Sequence, residues 1–260
     1  MVRKHGDARI SYLRHPHNTG AAAARNTGAA AARAPLLAFQ DSDDEWMPTK
    51  LERQLARLTG AGERYAGVYC RYRRVADDGS STLVPAAGAD PVEGELHRAL
   101  LRSSFIGTPT LVLRRACFEQ VGGFDVELER FQDWELMIRV SEFWPLAFVD
   151  EALVIARYAG DNISGGHDAA LERAERRIVE RHLDRFRRAG GDVLAYRLWH
   201  LGHVLMMRGR HAEARQRFRQ ALAARASARA AGALALSAAP PIYRALYRTV
   251  RDSSGRGGQG

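Results

Sequence analysis

Between Ile10 and about Tyr158, short apolar runs alternate with helical stretches, the pattern of an α/β protein whose strands lie buried in one sheet. Ile10–Leu13 is a first strand candidate. Thr19–Ala34 is alanine-rich and reads as a helix despite Gly20 and Gly28, and Pro35 stops it because a proline ring disfavours helical geometry in the residue before it. Leu36–Gln40 then reads as a short buried strand. A second helix is expected to start near Pro48, with Leu51, Leu55 and Leu58 sharing its buried face. Tyr65–Cys70 and Thr82–Val84 flank a turn at Asp77-Asp78-Gly79, and Thr110–Leu113 makes another strand. Gln132–Phe143 is a helix with Leu136, Ile138 and Val140 inward, and strands at Leu146–Val149 and Leu153–Ala156 end the series.

From Leu171 the pattern turns to helices alone, so a boundary is expected near Gly165-Gly166. This divides the chain into an α/β domain over 1–164, a helical region over 165–252 and a Gly- and Ser-rich tail over 253–260 that reads as disordered. Leu198, Leu201, Gly202, Leu205, Gly209, Ala214, Phe218 and Ala221 fall at the offsets of one tetratricopeptide-like hairpin. A plain amphipathic helix pair packed on the first domain accounts for them equally well.

Charge sharpens this division. The whole chain carries a net charge of +9, yet residues 1–164 sum to −2 and residues 165–260 to +11. The basic excess therefore belongs to the helical region. It lacks interleaved aromatic residues and any nucleic-acid motif, so no nucleic-acid partner is expected; an anionic membrane surface fits better. The chain has two cysteines, Cys70 and Cys117, in no metal-ligand spacing, and they read as reduced thiols of a cytoplasmic protein. No run approaches the ~18 apolar residues of a membrane span.

The candidate chemistry starts at Asp41-Ser42-Asp43-Asp44, placed after a strand and before a helix, where open α/β sheets bind ligands. Two acids one residue apart on a tight loop can offer oxygens to one hard cation, and that cation can hold a diphosphate. An acidic loop that only caps the following helix has the same composition.

The neighbouring residues separate these readings. Asn18-x-Gly20, Ala24-Arg25-Asn26-x-Gly28 and Leu37-Ala38-Phe39-Gln40-Asp41-Ser42-Asp43-Asp44-Glu45-Trp46-x-Pro48-x-Lys50-Leu51 resemble, in order and spacing, the signature of family 2 glycosyltransferases. The likeness also accounts for Asn-Thr-Gly-Ala-Ala-Ala-Ala-Arg occurring at 18–25 and again at 26–33. A second block, Arg114-Arg115, Val121-Gly122-Gly123-Phe124-Asp125 and Gln132-Asp133-Trp134-Glu135-Leu136-x-x-Arg139, resembles the family's acceptor-side motif. A weaker match at Arg157-Tyr158 and Asn162-Ile163-Ser164 resembles the closing segment of its catalytic domain.

The resemblance implies a GT-A-like (Rossmann-like) mixed sheet flanked by helices, followed here by the helical region. It implies transfer of a sugar from a nucleotide-diphosphate sugar to a glycan or lipid-linked acceptor, with inversion. Asp133 would be the catalytic base. Asn18, Arg25 and Asp41 would lie on the donor side, and Asp43, assisted by Asp41, would hold Mg²⁺ or Mn²⁺. Two departures stand out: Gln132 occupies a position that is often acidic, and the family's opening strands, with most of its base pocket, do not precede Ile10. The expectation is therefore a domain lacking its first strands and poorly stable alone. A non-catalytic remnant that acts through its helices is the alternative.

Overall fold

The computed structural model describes residues 7–90, 92–158 and 168–246. They form two compact units, one drawn from the described residues up to 100 and from 104 to 158, the other from residues 101–103 and 168–246.

In the first unit, helix α1 (Gly20–Ala31) begins where Asn18 Oδ1 accepts the Gly20 N–H at 2.9 Å. His15 joins both threonines of the eight-residue repeat, hydrogen bonding to Thr19 Oγ1 through Nδ1 and to Thr27 Oγ1 through Nε2 at 3.0 Å. Strands follow at β1 (Leu36–Ala38) and β2 (Asp44–Trp46), then helix α2 (Lys50–Ala61) and strands β3 (Gly67–Ala76) and β4 (Ser81–Val84). Helix α3 (His97–Arg102) and a 3-10 turn at Thr108–Thr110 lead to strand β5 (Val112–Arg114) and helix α4 (Arg115–Gln120). Helix α5 (Gln132–Ser141) and strand β6 (Leu146–Tyr158) complete the series.

Among the described residues, six strands make one mixed sheet in the order β1-β5-β3-β6-β2, with β4 paired to β3. Only β3 and β6 run parallel; every other pair is antiparallel. Alternate residues of β3 serve opposite faces, as the pleat requires. Tyr69 joins a cluster containing Ala22, Phe39, Phe118 and Leu136, while Val68 and Cys70 join one containing Leu58 and Val154. The sheet is thus covered on one side by α1, α4 and α5 and on the other by α2.

Four expectations are corrected. Ile10–Leu13 forms no strand: Ile10, Tyr12 and Leu13 are 48, 49 and 51% exposed. An extended segment needs a neighbouring ladder to satisfy its backbone groups, and none of the described strands pairs with it. Asp44, expected in the acidic loop, instead opens a strand with Glu45 and Trp46, because β6 supplies its partner with Asp44 opposite Ala156 and Trp46 opposite Val154. The two strands expected at 146–149 and 153–156 are one. The register of β6 against β3 jumps from Cys70↔Val149 to Arg71↔Ala152, so the polar pair Asp150-Glu151 is a bulge within the strand. Finally, α2 buries Lys50, Gln54 and Leu58, while Leu51 and Leu55 stay 41% exposed. Leucine spacing does not set this face; a buried polar network does.

The helical unit contains α6 (Ala169–Arg181), α7 (Leu183–Ala189), α8 (Gly191–Met207), α9 (His211–Ala224) and α10 (Ala228–Leu236), and residues 240–246 are helical. Helices α8 and α9 pair as a hairpin across Gly209, whose φ of 80° is left-handed. Leu201, Leu205, Ala214, Phe218 and Ala221 are fully buried in it. Gly202 lets the helices close, since a Cβ there would meet Phe218 Cε1 at 2.6 Å. The expected tail at 253–260 and the Asn162-Ile163-Ser164 segment lie outside the described residues.

Candidate active site

The acidic turn is shaped by its own chain. Asp44 N–H donates to Asp41 O at 3.3 Å, and the Gln40 side-chain amide spans the turn, donating to Asp44 O at 2.6 Å and Asp41 O at 3.2 Å. Behind it, Phe39 packs with Phe118 and Phe124, ring centroids 5.2 to 5.6 Å apart, so the end of β1 is anchored to the loop after α4.

That loop is held a second time from α1. Asn26 Nδ2 donates to Phe124 O, and Phe124 N–H donates to Asn26 Oδ1, both at 2.9 Å. Gly122 and Gly123 make this approach possible, with φ of 86° and 69°; a Cβ on Gly123 would lie 2.8 Å from Asn26 Oδ1. Arg139, paired within the core to Glu135 at 2.6 Å, donates to Val121 O and to Gly123 O, the latter at 2.7 Å. The two motif blocks, ~100 residues apart in sequence, are therefore bound together through side chain to backbone contacts.

Arg25 joins them at the candidate residues. Its Nη2 donates to Asp41 Oδ1 at 2.5 Å and its Nη1 to Gln132 Oε1 at 2.8 Å, with the guanidinium 5.6 Å from the Phe124 ring centroid. Gln132 accepts this hydrogen bond through its amide carbonyl, filling with a neutral group a place where a carboxylate would also fit.

Asp133 lies next, in the first turn of α5 and not at its cap. The cap is Phe131, whose φ of 61° makes it the non-glycine residue with left-handed backbone among the described residues. Such geometry costs ~1 kcal/mol or more and turns the chain sharply into the helix. Asp133 Oδ1 accepts from Trp134 N–H at 2.8 Å and Oδ2 from Thr108 N–H at 3.2 Å. Burial pushes its carboxyl above the ordinary aspartate value, outweighing the two backbone donors and the nearby Arg25 cation.

The structure thus brings Arg25, Asp41 and Asp133 into one constellation. Asn18 stays exposed at the start of α1, its side-chain oxygen taken by Gly20. Asp43 is exposed and, among the described residues, makes no hydrogen bond or ion pair. Asp44 is pushed up to about 6 by burial and by the charges of Asp41 and Asp43. Carboxylates that raise one another in this way are short of positive charge, which fits a divalent cation at the turn. Among the described residues, no group of three or more His, Cys, Asp or Glu is placed to hold a metal ion. Thr108 and Asn26 were not singled out from the sequence. A backbone N–H donor leaves no trace in residue identity, whereas Asn26 was visible as the asparagine of Arg-Asn-x-Gly.

Residues 1–121 match the family model described as glycosyl transferase family 2, and the fold is GT-A-like. The amylovoran biosynthesis glycosyltransferase AmsB of Erwinia amylovora is 29% identical over 140 residues, 53% of this chain and 46% of that protein. The putative colanic acid biosynthesis glycosyl transferase WcaA of Escherichia coli K12 is 26% identical over 205 residues, 77% of this chain and 71% of its own length. The crystal structure of S. aureus TarS 1-349 matches with a TM-score of 0.58 at 15% identity, covering 92% of this chain and 73% of that one. The chain spans about half the length of several curated relatives it matches. Among the described residues, no helix is long and apolar enough to cross a membrane.

Proposed function

We propose that this protein transfers a sugar from a nucleotide-diphosphate sugar to a hydroxyl of a glycan or lipid-linked acceptor, inverting the anomeric centre. The observation that carries the reading is the Arg25 bridge, which ties Asp41 on the acidic turn to Gln132, the neighbour of Asp133. Asp133 is the base. It takes the proton of the acceptor hydroxyl as that oxygen attacks the anomeric carbon, while the opposite bond breaks and its electron pair leaves on the diphosphate. A carboxylate whose proton affinity is raised by burial suits that task better than one at the ordinary aspartate value.

On the donor side, Arg25 orients Asp41 toward the nucleotide, and Asn18 contributes from the start of α1. Asp43, assisted by Asp41, would hold Mg²⁺ or Mn²⁺, which when bound offsets the charge growing on the leaving diphosphate. The names of the relatives, concerned with amylovoran and colanic acid, support a cell-surface polysaccharide as the product class. Ser103–Thr110, which carries the Thr108 contact to Asp133, and Ala86–Gly94 are the loops in which acceptor choice would reside.

The helical unit would serve as a cationic face on the inner surface of the membrane, beside a lipid-linked acceptor. Ile242 and Leu246, four residues apart on one helix, are 55 and 50% exposed within a region of net charge +11. The transfer reading is tested by melting the protein with a panel of nucleoside diphosphate sugars, with and without Mn²⁺. One donor is expected to raise Tm only when the ion is present, the stabilisation being ~2.7 kcal/mol at a hundredfold excess over Kd. No response to any donor would reject it.

A further inference from the structure

Lys50 is 1% exposed at the start of α2, and among the described residues no carboxylate pairs with it. Its ammonium donates to Gln54 Oε1 at 2.7 Å and sits 3.9 Å from the centroid of the Trp46 ring. Burial pushes its pKa down to about 8. An unpaired cation in a core is costly. A core that retains one does so for what the cation holds.

It holds two hydrogen-bond donors aimed at one turn. Trp46 Nε1 donates to Pro109 O at 2.9 Å, and Gln54 Nε2 donates to Thr110 O at 2.7 Å and to Val68 O at 3.4 Å. Cys70 Sγ also faces Thr110 O, at 3.7 Å. The Pro109 and Thr110 carbonyls belong to the Thr108–Thr110 turn, whose first N–H donates to Asp133 Oδ2. Trp46 also ends β2, the strand that opens with Asp44 at the close of the acidic turn.

We infer that Lys50, through Trp46 and Gln54, is a positioning residue that fixes the Thr108 N–H on Asp133 and sets the spacing between that carboxylate and the acidic turn. The ammonium never meets substrate. It keeps the Gln54 amide turned so that its oxygen faces the cation and its nitrogen faces Thr110 O, and it clamps the indole whose N–H meets Pro109 O. Removing it frees both donors and lets the turn drift from Asp133. The assignment rests on the transfer reading only for its catalytic consequence; the positioning itself is independent of it.

The test uses the full chain as wild type, Lys50→Met and Trp46→Phe, the last keeping a ring under the ammonium while losing the indole N–H. In ¹⁵N-labelled protein the Thr108 amide shift follows the titration of Asp133 across their hydrogen bond. In both variants that coupling is expected to weaken and the Thr108 amide to exchange faster with solvent. Turnover should fall roughly tenfold or more, since small misplacement of a reacting group is expensive, while Kd for donor with Mn²⁺ stays within about twofold. Should Lys50→Met not fold, Trp46→Phe carries the same readouts. A Thr108 amide that tracks Asp133 as in wild type, with wild-type turnover, overturns the inference. Absence of turnover and donor binding in the wild type overturns the transfer reading instead and leaves the amide experiment to decide this one.

Discussion

Arg25 and Asp41 form the ion pair on which the candidate site turns: 2.5 Å apart and both partly buried, they connect α1 to the acidic turn while the other arm of the guanidinium reaches Gln132. Replacement by lysine keeps the charge and loses the fork, because a lone ammonium cannot serve two acceptors set at guanidinium spacing. Arg25→Lys is expected to lower Tm modestly and to weaken metal-dependent donor binding by about tenfold. Calorimetric titration with the donor found in the stability screen checks it, and binding unchanged from wild type would remove Arg25 from the donor side.

Asn26 acts on the same region without touching it chemically. Asn26→Ala leaves Phe124 N–H and O without their partner and should cost about 1–3 kcal/mol, read from the urea midpoint. Gly123→Ala brings a Cβ against the same asparagine at a left-handed φ, so the two changes share one contact and their costs should not add. Additivity would show that the asparagine and the glycine act separately.

How much of this was legible before the fold was known depends on which physical signal each part leaves. The acidic turn is visible in residue type and position, whereas Arg25 and Asp133 stand out only through the family resemblance; the structure sets Arg25 on Asp41 and close to Asp133. The buried face of α2 departs from the apolar spacing, which marks Leu51, Leu55 and Leu58, because Lys50 lies against the ring of the nearby Trp46 and Gln54 bonds to the Val68 and Thr110 carbonyls of other elements. Strand β2 was invisible for a similar reason. Asp-Glu-Trp has no alternation of its own and becomes a strand only because β6 passes beside it. The bulge at Asp150-Glu151 looked like a break between two strands, since polarity reports where a chain meets water and not whether its ladder continues.

In the helical unit, Glu175 is buried against Arg197 and within 3.3 Å of His200. Burial alone would raise its pKa, but the arginine and the histidine outweigh it and hold the carboxyl at about 2, below the ordinary glutamate value. A depressed folded-state pKa contributes stability that is full above the unfolded value near 4.5 and is lost as pH falls toward 2. Glu175→Gln should cost about 3–5 kcal/mol at neutral pH, because it removes the buried carboxylate that faces the Arg197 charge, and should flatten the stability curve between those pH values. Parallel urea titrations across that range measure it; an unchanged acid slope would show that Glu175 is not the titrating group.

For the cationic face, sedimentation with anionic and neutral vesicles is the direct measurement. Binding to anionic vesicles alone, weakened by Ile242→Ser together with Leu246→Ser, is the expected outcome. Equal failure with both vesicle types removes the membrane from the proposal.

The central claim is that one carboxylate holds the cation that offsets the donor's charge and another moves the acceptor's proton. It is tested most directly by measuring kcat and donor Kd, with Mn²⁺, for Asp43→Asn and Asp133→Asn side by side. The account predicts that Asp43→Asn abolishes metal-dependent donor binding. Asp133→Asn should keep Kd within about twofold and lose roughly a hundredfold to ten-thousandfold in kcat. The wild-type rate should also fall in acid at a pH above the ordinary aspartate value, following the raised proton affinity of Asp133. Near wild-type turnover in Asp133→Asn would contradict the account.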